Sequence, residues 1–154
     1  MSAKNRLIGI AAISLFLSSA SAMATDRKVH NGSMCQPADG RNRLDTFTGG
    51  AFNADPTKFI FVTCPIVRDS TQNTNGTSLA FVNVRSAGGQ PLSCELVSRD
   101  KNGLFIASRS AFTTSSTPVS LNVDVNASAV LGTYALSCQL PPNGAILTYD
   151  IDEF

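Results

Sequence analysis

The sequence predicts an all-β fold: an antiparallel β-sandwich of about 7–8 short strands with two disulfides, preceded by an N-terminal signal peptide. Three observations carry this. Apolar residues alternate with polar ones at period two in several segments, which is the mark of a half-buried strand. Turn-forming clusters recur every eight to twelve residues, the spacing of small sandwiches. Four cysteines, Cys35, Cys64, Cys94 and Cys138, remain after the leader, with none left over.

The chain opens with Lys4 and Arg6, then the apolar run Leu7–Leu17, then small residues up to Ala24. This is the layout of a secretory signal peptide, residues 1–24, with cleavage after Ala22 or Ala24. Eleven residues of helix reach about 16 Å, against roughly 30 Å for a bilayer core, so the run is too short to span a membrane. The expected location is secreted or periplasmic, with no integral membrane segment after processing. Residues 25–154 then form a single domain.

The full chain has 12 Lys+Arg and 11 Asp+Glu; removal of Lys4 and Arg6 leaves ten basic residues against eleven acidic, a net charge of −1. That balance excludes a nucleic-acid groove, which needs a cationic surplus to neutralise phosphates. A hydrophobic content of 43% argues against disorder.

Along the mature chain, Lys58–Cys64 puts Ile60, Val62 and Cys64 in phase, and Ser78–Arg85 is a further strand. Leu92, Cys94 and Leu96 share a face. Val119, Leu121, Val123 and Val125 alternate within Thr117–Val125, and Tyr134, Leu136, Cys138 and Leu140 within Thr133–Leu140. Two hairpins are expected, one around Asp100–Gly103 and one around Pro141–Gly144, because both turns end in Asn-Gly, which favours positive φ. Residues 36–45 and 69–77 read as irregular loops, and a helical turn is possible near Ala127–Leu131. Export favours disulfides. Four cysteines allow three pairings; Cys35–Cys64 with Cys94–Cys138 is the expected one, since Cys94 and Cys138 both point inward from different strands. The two bridges are expected to hold the facing sheets together. The spacings of 29, 30 and 44 residues, with His30 as the one imidazole, contain no close ligand pair for zinc. No metal and no cofactor is expected.

Two stretches carry resemblances. Leu131-Gly-Thr-Tyr134-Ala-Leu-Ser-Cys138 loosely resembles the tyrosine corner of immunoglobulin-like sandwiches, where a Tyr hydroxyl ties down a strand entry. Here the Tyr lies four residues before the Cys rather than two, and the chain lacks Trp, so the resemblance implies the sandwich and not the family. The stretch Val62-Thr-Cys64-Pro-Ile-Val-Arg68-Asp69, with Asn31–Pro37 and the ending Ala145–Glu153, resembles small exported bacterial proteins that are themselves uncharacterised. It implies export and disulfides, and no activity.

Candidate site residues are few, and no catalytic set is expected. His30 lies before any secure strand, so a Ser–His pair lacks a positioned base. Asp150 and Asp152 fall on one face of a terminal strand, opposite Tyr149 and Ile151, and are expected to be solvated; facing Asp124, they would be the acids of a hydrolase acting on an envelope or extracellular polysaccharide. Arg68 and Asp69, at the mouth of a polar loop, could clamp an anion. Phe52, Phe105 and Phe112 are candidates for exposure. The expected function is a non-catalytic binding or structural role with a protein or glycan partner. A third reading, a surface-fibre subunit, requires a long unpaired apolar edge strand.

Overall fold

The computed structural model describes residues 27–38, 40, 43–68, 72 and 74–153. The expected signal peptide and Asp69 lie outside them. The strands are β1 (Lys28–Asn31), β2 (Gln36–Pro37), β3 (Leu44–Phe47), β4 (Gly50–Asn53), β5 (Ile60–Cys64), β6 (Thr77–Arg85), β7 (Leu92–Arg99), β8 (Phe105–Thr113), β9 (Val119–Asn122), β10 (Thr133–Leu140) and β11 (Ala145–Glu153). One 3-10 turn, Gly32–Met34, is the only helical element among the described residues; Ala127–Leu131 is not helical.

The strands form two antiparallel sheets. Sheet A has the order β3-β4-β11-β6-β9, with β1 also paired to β11; sheet B has the order β2-β5-β10-β7-β8. From β4 onward every connection changes sheet except the β7–β8 hairpin. The orders β4-β11-β6-β9 and β5-β10-β7-β8 are those of a jelly roll, two Greek keys wound over one core.

That core is built by the predicted alternation. Ile60, Val62 and Cys64 of β5, Leu92, Cys94 and Leu96 of β7, and Tyr134, Leu136, Cys138 and Leu140 of β10 point inward from sheet B. Ala80, Val82 and Val84 of β6, with Ile146, Tyr149 and Ile151 of β11, meet them from sheet A. Each fully buried Leu, Ile or Val side chain stabilises the fold by about 1.5–3 kcal/mol. Both expected disulfides are present, Cys35–Cys64 and Cys94–Cys138. Cys94 and Cys138 lie directly opposite each other on β7 and β10, so this bridge lies within sheet B and does not join the two sheets.

The Asp100–Gly103 hairpin forms as expected, with Leu92–Arg99 paired to Phe105–Thr113. The Pro141–Gly144 hairpin does not: β10 belongs to sheet B and β11 to sheet A. Pro141 and Pro142 have no N–H to continue a ladder, and the backbone turns at Asn143 (φ 59°). Asn53 fastens the crossing. Its N–H donates to Gly144 O (2.9 Å), its carbonyl accepts from Asn143 N (3.0 Å), and its side-chain amide donates to Lys58 O (2.8 Å) and Leu140 O (3.1 Å). A register shift in β11 between Ile146 and Thr148 brings the Ile146 carbonyl against Gly32 and Gly50. A Cβ at either would lie 2.3 or 2.1 Å from that oxygen, so only glycine fits. Residues 36–45, expected to be irregular, contain β2 and the start of β3.

Candidate functional site

The charged residues singled out from the sequence are mostly engaged by the fold itself. Arg68 follows β5, and its Nε donates to Glu153 Oε1 at 2.8 Å, both side chains being 5% exposed. Its Nη1 donates to Ala129 O at 2.9 Å, and its guanidinium lies over the Tyr134 ring, 4.9 Å from the centroid. The position an incoming anion would take is therefore occupied by a carboxylate of β11. Tyr134 is buried as expected; among the described residues its hydroxyl lies beside Ser128 and Glu153 without a hydrogen bond of normal geometry. Burial raises its pKa, while Ser128 and Arg68 act in the opposite direction. The tie that the tyrosine-corner resemblance places on Tyr134 is made instead by Tyr149, whose hydroxyl donates to Pro65 O at 2.6 Å. Burial pushes the Tyr149 phenol up to about 12.

Asp150 and Asp152 do lie opposite Tyr149 and Ile151, beside Phe81 and Leu79 of β6. The expectation that they are solvated is overturned: they are 3% and 5% exposed. The cause is topological. β11 ends the described chain but sits inside sheet A, between β6 and the β1 and β4 strands. Asp150 accepts from Arg27 Nε at 2.6 Å and also from Arg27 Nη2. Asp152 Oδ1 is buried and has no partner among the described residues. Asp124 follows β9, one strand beyond β6, and its carboxylate accepts from the Ala80 N–H and from Asn122 Nδ2 (2.6 Å). Among the described residues, no group of three or more His, Cys, Asp or Glu side chains is arranged to hold a metal ion.

His30, expected to precede the ordered fold, is part of β1. Its ring stacks on Tyr149 at 4.9 Å with 17° between planes. Its pKa is lowered, first by desolvation and then by Lys28.

The least satisfied surface is the free side of sheet B. Among the described residues, β8 pairs only with β7, through eight of its nine residues, with a register shift that leaves Ile106 without a partner on β7. The other edge strands are shorter: β2 has two residues and ends in Pro37, while β1, β3 and β9 have four each. Phe105 and Phe112 are 61% and 70% exposed, as the sequence suggests, and Ile106 is exposed beside them; Phe52 is only partly so. On the outward face of sheet B, Phe61 and Phe112 bracket a row completed by Gln139 and Ser93. The sequence reading missed Phe61, although its place between Ile60 and Val62 already put it on the outward side. Arg109, the one charged residue of β8, points to the inner side beside Leu96. There it lines a hollow of about 430 Å³ with Asn75, Thr77, Asp124, Val125 and Asn126.

No family model matches the chain, and no curated protein does either.

Proposed function

We propose that this is an exported, non-catalytic sandwich that acts by binding or structural association, with the edge of β8 and the adjoining face of sheet B as its contact surface. Export rests on the leader-like N-terminus together with two disulfides, which persist in oxidising compartments. The observation that carries the contact surface is β8 itself. A nine-residue edge without Pro, Lys or acid, bearing exposed Phe105, Ile106 and Phe112, leaves a row of main-chain donors and acceptors ready to pair with another strand.

The surface-fibre reading is favoured by the same strand, since it requires a long unpaired apolar edge. The hydrolase reading has no comparable support, because Asp150 is held by Arg27 and both acids are buried. The test is a photo-cross-linking amino acid placed at Phe112, with one at exposed Gln90 as control, in the cells that make the protein. A discrete adduct at position 112 and none at 90 is expected. No adduct at 112, or equal labelling at both, overturns the reading.

A further inference from the structure

We infer that the β8 edge pairs with β8 of a second copy of this chain, antiparallel about a two-fold axis through Arg109, joining two copies of sheet B into one ten-stranded sheet. This rests on the reading of β8 as the contact surface and adds the identity of the partner. The argument comes from the order of residues along the strand. In Ile106-Ala-Ser-Arg109-Ser-Ala-Phe112, Ser108 and Ser110, Ala107 and Ala111, and Ile106 and Phe112 lie at equal distances on either side of Arg109. An antiparallel two-fold pairing centred there sets Ser108 opposite the partner's Ser110, Ala107 opposite the partner's Ala111 and Ile106 opposite the partner's Phe112. A strand that reads nearly the same in both directions suits a two-fold contact, in which one patch must complement itself.

The faces agree with this pairing. Ser108, Ser110 and Phe112 lie outward, beside Val97, Glu95 and Ser93 of β7, whereas Ala107, Arg109 and Ala111 lie on the core side. The seam would place hydroxyls together and bring Phe112, the most exposed large apolar side chain described, against the end of the partner strand at Phe105 and Ile106, where the β7–β8 register shifts. The small Ala pairs on the inner side let the two strands approach. One element opposes the contact: Arg109 faces the partner's Arg109, and like charges directly opposite each other weaken a pair. An inward-pointing charge is also a common guard on edge strands. The association is therefore reversible and strengthened by salt, which screens the repulsion. It also stops at two copies, because the contact uses the long edge of both, and the remaining edges are short.

The test is sedimentation equilibrium of the exported chain isolated with its disulfides intact, across a concentration series at low and high salt. A monomer–dimer equilibrium that tightens with salt is expected. Phe112→Lys changes an exposed side chain and should leave the melting temperature unchanged while weakening the dimer by at least about tenfold. Arg109→Ser should tighten it by at least about twofold. A dimer weakened by Arg109→Ser, or open-ended filaments, overturns the two-fold register. A monomer at every concentration overturns the second copy as partner; a cross-link from position 112 to a different protein would then leave the contact surface standing, and the absence of any cross-link would remove both.

Discussion

Both disulfides belong to sheet B. Cys94 and Cys138 bridge β7 and β10, and Cys64 of β5 is bonded to Cys35, which directly precedes β2. The described part of sheet A contains no cysteine and is held instead by polar side chains. Asn83 Nδ2 donates to Thr148 Oγ1 at 2.7 Å, Ser120 donates to Asn83, and Arg27 holds Asp150. The outward surfaces differ in degree: sheet A carries these side-chain hydrogen bonds while exposing Val29, Phe47 and Leu79, and sheet B leaves Phe61 and Phe112 more exposed than Phe47. The covalent bonds and the most exposed phenylalanine side chains thus fall on the same sheet. The bridges do not clamp one sheet to the other, as the sequence reading expected. The sheets are joined by the apolar core, by Asn53 of β4 donating to Leu140 O of β10, and by two ties from residues 65–68 to β11, the Arg68–Glu153 pair and the Tyr149–Pro65 bond.

The largest expected effect comes from removing the covalent half of this contrast. Replacing Cys94 and Cys138 together by Ala should cost about 4 kcal/mol, and full reduction of both bridges about 7 kcal/mol, comparable to the whole stability of a small domain. Denaturant titration with and without reductant measures this. Coincident curves would mean that the bridges do not carry sheet B.

Next is the tie between the sheets. Glu153→Ala leaves the Arg68 guanidinium buried without its carboxylate and should cost about 3 kcal/mol. Replacing both, Arg68→Met with Glu153→Leu, should recover most of that, because an apolar pair of similar volume avoids the desolvation penalty. A double-mutant cycle read by equilibrium unfolding decides; additive losses would show that the two side chains act separately.

The smallest effects are at Tyr149 and the ring stacked on it. Tyr149→Phe should cost about 1 kcal/mol, the net value of one hydrogen bond. The wild-type phenol is raised to about 12 by burial, above its ordinary value near 10. The folded chain therefore holds this proton where the unfolded chain has lost it, and stability should fall as pH rises from about 10 toward 12. The Phe variant should lack that alkaline limb. His30 acts at the other end of the pH scale. Its lowered pKa means that the unfolded chain binds the proton first, so its contribution is present above about 6.5 and lost as pH falls below that value. His30→Phe should flatten this acid limb in a series of thermal melts.

Much of the strand content was legible because burial repeats every second residue, a local signal. Thr133–Leu140 matches the observed strand residue for residue, and Cys94 and Cys138 point inward as their neighbours imply. What failed was non-local. Asn-Gly after Pro141-Pro142 marks a reversal but does not say whether the next strand pairs with the last or crosses the core, and here it crosses. Asp150 and Asp152 read as solvated because they end the chain, whereas position in a sheet is set by partners far away in sequence. The same distance hid the engagement of Arg68, since Glu153 lies 85 residues on. Exposure of Phe105 and Phe112 was readable; that they lie on the longest open edge required the sheet order.

β1, the first described strand, is hydrogen-bonded to β11, the last: Lys28 lies opposite Ile151 and Asn31 opposite Thr148. Sheet A therefore lacks its central member until β11 joins it, and β1 and β4 reach their partner only across most of the described chain. Pairings of such long sequence separation also form slowly. Sheet A is thus the part of the fold expected to close last, after the local β3–β4 and β7–β8 hairpins.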